Sequence, residues 1–120
     1  MASLLLLYAA FYHCDVVGLH LTRAYAHVGH QAAQHALAQR YLQGVGVQRN
    51  KTVAFHWFRK AAYQGHPHSS YNLALGHFMG YRSGLQRGEA YRYMKLAASK
   101  GMPQAQHIMD TICSQGHCET

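Results

Sequence analysis

The sequence predicts an all-α protein, an α/α superhelical solenoid of antiparallel helix pairs with a 36-residue period. Three observations carry that expectation. Glycines recur in two triplets at one spacing: Gly29, Gly65 and Gly101, then Gly44, Gly80 and Gly116. Other residue types keep the same register, among them Ala26, Ala62 and Ala98, then Leu37, Leu73 and Met109, and the pairs Pro67 with Pro103, Phe55 with Tyr91 and Trp57 with Tyr93. Finally, no bounded run alternates β-branched and polar residues, so no strand competes. Self-similarity at a fixed period is the signature of a repeat array.

The elements follow in chain order. Residues 1–14 form an apolar segment whose run from Leu4 to Tyr12 is too short to span a bilayer. It lacks the basic start and clear cleavage site of a secretory signal, which leaves a helix packing on the first repeat or a weak signal-like stretch. No transmembrane segment is expected. A second-type helix spans about Asp15 to Val28. From His30 to Gln43, Ala33, Leu37, Ala38 and Tyr41 share one helical face. Gly44 stands where a left-handed cap ends that helix. GVGVQRN is a loop, and Asn50 or Thr52 can cap the next helix. That helix, Val53 to Gln64, gathers Val53, Ala54, Trp57, Phe58, Ala61 and Ala62 on one stripe. Gly65 stops it, and Pro67 opens its successor in the first turn, where a missing N–H costs nothing. The second period repeats the pattern over about His68 to Met79 and Gly88 to Lys100. A half repeat follows, from about Gln104 to Gln115.

The expected organisation is therefore an N-terminal segment (1–14), a solenoid (15–116) with whole repeats at 30–65 and 66–101, and a short tail (117–120). The Ala61–Ala62 and Ala97–Ala98 pairs let helices approach closely, while Trp57 and Tyr93 fill wider gaps. One repeat cannot bury its own stripe, so neighbours must stack. Two whole repeats lie at the lower limit for a free-standing array, and self-association through the solenoid ends or membership of a longer array remain open.

Only 12% of residues are charged, well below the roughly 25% of average soluble domains. The balance is basic, with 11 Lys and Arg against 4 acids and a formal charge of +7. That favours anionic partners: acidic proteins, nucleic acid or lipid head groups. Three cysteines, Cys14, Cys113 and Cys118, are too few for a disulfide scaffold, and reduced thiols are expected, although Cys113 and Cys118 could pair in an oxidising compartment. Cytoplasm and secretory lumen both stay open as locations.

The segment ALAQRYLQGVGVQRNKTVAFHWFRKAAYQGHPHSSYNLA resembles the Sel-1-like repeat, a relative of the tetratricopeptide repeat. The resemblance is carried by Leu37, Tyr41, Gly44, Gly46, Val47, Ala54, Trp57, Lys60, Ala61, Ala62, Gly65 and Leu73. The second repeat departs from the pattern, with Arg82 and Ser83 where the Gly-Val pair belongs. The resemblance covers about residues 15–116. It implies a superhelix whose surface holds protein partners, as in adaptors of signalling complexes, endoplasmic-reticulum quality control and bacterial host interaction. It implies no shared catalytic residue and no cofactor. Some cysteine-rich relatives are linked to β-lactam hydrolysis or binding, but this chain lacks their paired cysteines.

The residues themselves point the same way. Eleven histidines include the close pairs His27 with His30 and His66 with His68, but no acid completes either as a metal site. His30 and His66, one repeat apart, stand too far from each other to share an ion. No nucleophile, base and orienting group come together in a motif. Asn50-Lys51-Thr52 is a formal glycosylation acceptor, with helix capping the simpler role. Arg82, Arg87, Arg92, Lys95 and Lys100 interleave with Tyr81, Tyr91 and Tyr93, a pattern that can serve nucleic acid, although Tyr91 and Tyr93 fall at core positions. The expected binding element is a ladder of Arg23, Arg59 and Lys95, which share one phase of the period and suit an acidic peptide. The sequence thus predicts a scaffold for a protein partner and not an enzyme. A basic nucleic-acid-binding repeat is the alternative.

Overall fold

The computed structural model describes residues 2–116, apart from the side chains of 14 and 15. The expected tail at 117–120 lies outside these. Among the described residues six helices follow one another: α1 (Ala2–Val28), α2 (Gln31–Gln43), α3 (Lys51–Tyr63), α4 (Pro67–Phe78), α5 (Glu89–Ser99) and α6 (Pro103–Ser114). No strand occurs among the described residues. Each helix packs chiefly on the next in sequence, and the array measures 61 × 29 × 25 Å.

The periodic glycines are the hinges of this path. All six members of the two triplets have positive φ, from 75° at Gly44 to 113° at Gly29. At Gly44 the left-handed turn brings its N–H to 2.7 Å from the Arg40 carbonyl and that of Val45 to 3.0 Å from the same oxygen. A Cβ on a left-handed residue is strained, so the period appears in the sequence as glycine. Helix starts are equally local. Asn50, not Thr52, caps α3, its side-chain oxygen accepting from Val53 N–H at 3.1 Å. His66 caps α4 through Nδ1, which accepts from Ser69 N–H at 3.2 Å, and Pro67 occupies the first turn.

Two cores lie in series. The first gathers Leu19 and Ala26 of α1, Leu37 and Ala38 of α2, Phe55, Trp57 and Phe58 of α3, and Leu73 of α4. The second gathers Ala74, Ala90, Met94, Ala97, Ala105 and Met109. Tyr93 and Leu85 pack against both. Of the alanine pairs, Ala61, Ala62 and Ala97 are buried, whereas Ala98 is only half-buried. Gly76 marks the tightest approach: a Cβ there would fall 2.3 Å from Cζ of Phe55.

Two expectations need correction. The helix expected from Asp15 begins at Ala2 and runs without a break, with Leu4, Leu5, Leu6, Leu7, Tyr8, Phe11 and Tyr12 all exposed. By length and composition alone α1 is long and apolar enough to cross a membrane, as a signal sequence near an N-terminus also is, which does not decide the expectation of no transmembrane segment. Apolar residues resume at Val16, Val17, Leu19 and Leu21, so the Leu4–Tyr12 run understated the length. Likewise Cys113 is disulfide-bonded, where reduced thiols were expected.

Candidate functional site

Arg23, Arg59 and Lys95 stand at equivalent turns of α1, α3 and α5, as a fixed period requires. Their surroundings differ. Arg23 is half-buried and donates from Nη2 to the Tyr41 hydroxyl at 3.2 Å. It lines a cleft of about 510 Å³ with Leu19, Tyr41 and the loop from Gly46 to Asn50. Arg59 is exposed and lies along Gly84, where a Cβ would meet its Nη2 at 2.7 Å. Lys95 is exposed.

Arg59 enters a second cleft, of about 450 Å³, with Gln34, His56, Lys60, Tyr63 and Gln64. Among the described residues, no acidic side chain lines it. Its floor is held by an amide chain across three helices. Gln64 Nε2 donates to the Gly29 carbonyl at 2.9 Å and to Gln34 Oε1 at 2.8 Å. Gln34 is buried and donates from Nε2 to the Ala26 carbonyl at 3.1 Å. The buried Gln34 amide resists displacement, because losing its bonds would leave a desolvated group, whereas Gln64 reaches it from the exposed side. Lys60 Nζ stands 5.0 Å from the centroid of Trp57, a cation–π contact that fixes its direction. The His56 imidazole has its pKa lowered by burial first, then by Lys60 and Arg59, so at neutral pH the charge here comes from the two long side chains. Tyr63, 86% exposed, also borders a neighbouring cleft of about 450 Å³ with Glu89, Arg92, Tyr93 and Leu96. Burial, and secondarily Glu89, raises the Tyr93 pKa, which keeps that phenol neutral.

The structure also joins residues that the sequence reading kept apart. His35 of α2 stacks on His66 at 4.5 Å between ring centroids, and His68 lies 6.0 Å from each. Nδ1 of His35 and Oγ of Ser69 are hydrogen-bonded at 2.6 Å. Burial, then His66 and His68, lowers the His35 pKa to about 4. Burial, then His68, lowers that of His66 as well, which fits a ring whose Nδ1 accepts the capping bond. Among the described residues, no group of three or more His, Cys, Asp or Glu is set to hold a metal ion. The available signal for this cluster was the period itself, which lays residues 30–43 beside 66–79.

Of the residues read as a nucleic-acid pattern, Tyr91 and Tyr93 pack against the second core. Tyr81 receives Lys51 Nζ at 4.4 Å from its centroid.

A family model for the Sel1 repeat matches residues 31–66 and 67–102. Two crystal structures are similar in fold. One is a protective antigen present in uropathogenic Escherichia coli strains, displaying an SLR fold, at 33% identity and a TM-score of 0.73 over 84% of this chain and 22% of that one. This chain therefore spans less than a quarter of that antigen. The other is a Sel1 repeat protein from Oxalobacter formigenes, at 28% identity and a TM-score of 0.66, covering 85% and 74% of the two chains. No curated protein matches the sequence.

Proposed function

Because the chain belongs to the Sel1 repeat family, whose helical repeats are typically protein-interaction modules and generally not enzymes, we propose that it is an adaptor holding an acidic protein or peptide segment. The observation that carries this reading is the cleft on α3. Arg59 and Lys60 stand over a hydrogen-bonded amide floor with the exposed Tyr63 beside them, and among the described residues the nearest acid, Glu89, lines the adjoining cleft and not this one. Two cations and an aromatic ring suit carboxylates flanking an apolar side chain. Lys60 and Tyr63 follow Arg59 by one and four residues, so one helix positions all three. In this reading Arg23 and Lys95 continue the track on either side of Arg59. Arg23 reaches a partner only by sharing its guanidinium with Tyr41.

The test is binding of Asp/Glu-rich and Lys/Arg-rich peptide arrays at low and high salt. The wild type should select acidic peptides. Arg59→Glu, and more so the Arg23→Glu/Arg59→Glu/Lys95→Glu triple variant, should slow association about tenfold or more. The thermal midpoint should move little for Arg59→Glu, because exposed charges contribute little to folding. Equal association rates for wild type and the triple variant would remove the ladder as a binding element. Tight binding to single-stranded oligonucleotides with a steep salt slope would favour the nucleic-acid alternative instead.

A further inference from the structure

We propose that the N-terminal end of α1 inserts into one leaflet of a lipid membrane, with a preference for anionic lipid, while the rest of α1 stays packed on α2. Leu4, Leu5, Leu6 and Leu7 are 69%, 71%, 71% and 66% exposed, and Phe11 is 75% exposed. Four successive residues of a helix point in four directions about 100° apart. This end of α1 is therefore apolar on every side and not along a stripe. A helix apolar all round is one that is buried all round, in a large core or in lipid. A protein groove, or a second copy of this chain laid alongside, would cover one side and leave the others wet. Hydrocarbon covers them all.

Length and charge set the depth and the lipid. No charged residue occurs between Ala2 and His13, a stretch that rises about 18 Å at 1.5 Å per residue. The hydrocarbon core is about 30 Å thick, so the stretch from Ala2 to His13 matches roughly one leaflet. Farther along, Leu19 and Ala26 are buried in the first core, which holds the second half of the helix outside the membrane. Tyr8 and Tyr12 are exposed on the way out, ring types suited to the interface. The formal charge of +7 complements an anionic surface.

The experiment is flotation of the full chain with phosphatidylcholine vesicles, with and without phosphatidylglycerol. The wild type should float with both and more strongly with the anionic vesicles. Leu5→Glu/Phe11→Glu should weaken partitioning on the order of 100-fold, since it removes two large apolar insertions and adds two charges. Neither side chain is buried in the fold, so helix content by circular dichroism should be unchanged. Met79→Glu, at an exposed apolar side chain far along the chain and outside the α3 cleft, should float as wild type does. A wild type that stays with the lipid-free fraction would overturn the proposal, as would equal flotation of the double variant. A solution dimer that the double variant dissociates, without flotation, would assign the segment to a second copy. Loss of the segment on expression with membranes, seen by mass spectrometry, would make it a cleaved signal and equally overturn insertion.

Discussion

His35 shows how much a single side chain can depend on its neighbours. Its ring meets Phe58 at 5.6 Å, stacks on His66 and lies beside His68. All of these favour the neutral form. Its pKa of about 4 lies below the usual 6.5, so the unfolded chain takes up a proton near pH 6.5 that the folded chain refuses until about pH 4. The associated stability is complete above pH 6.5 and is lost as pH falls towards 4. The ring is only half-buried, which limits the loss to about 1–2 kcal/mol. Urea denaturation at pH 7.5 and pH 5 should show it, and His35→Gln should have the shallower pH dependence. Identical dependence in both proteins would mean that other histidines carry the effect. Little of this was legible in the sequence, which offered close pairs along the chain, whereas the contact that matters joins two repeats. The Arg23, Arg59 and Lys95 phase was legible because it follows from the period alone. Their unequal surroundings were not, because Tyr41 and Gly84 reach them from other elements.

At the scale of the element, the sequence was most informative where a residue acts on its own backbone. Gly44, Asn50, Gly65 and Pro67 end or begin helices through bonds within a few residues, so their roles needed no tertiary knowledge. The faces of helices were harder. In α3 the expected stripe is buried at Ala54, Trp57, Phe58, Ala61 and Ala62, whereas its first member, Val53, is half-buried and Phe55, not expected there, is buried too. In α5 the equivalent pair splits, with Ala97 buried and Ala98 half-buried. Ala62→Leu should therefore destabilise by about 1–3 kcal/mol through overpacking, and Ala98→Leu by distinctly less. Equal shifts in denaturation midpoint would place both alanines in the same packing environment. The N-terminal element was misjudged for a related reason. The run Leu4 to Tyr12 was measured alone, and the helix that continues through Cys14 and Asp15 joins it to α1.

Across the whole molecule, the period in the sequence is the period of the fold, and helix pairs stack in the order in which they are encoded. What the period could not show is that the core divides. Tyr93 and Leu85 are the side chains packed against both halves. Tyr93→Ala should cost about 1–3 kcal/mol, less than the roughly 3–5 kcal/mol of a fully buried Phe or Trp because the ring is half-buried. It should also separate the two halves in denaturation, giving a shallower urea slope or two steps by fluorescence of Trp57 against far-ultraviolet dichroism. A single steep transition at an unchanged midpoint would show that the halves are coupled elsewhere.

The consecutive packing of the six helices has a mechanical consequence. A load applied along the 61 Å axis passes mainly through successive helix junctions, as through links in a chain, with the His35–Ser69 hydrogen bond from α2 to α4 as a strut across α3. The weakest junction then sets the breaking force. Compliance adds from link to link, so a partner gripping both clefts beside Tyr63 would shorten the stretchable length and stiffen the array.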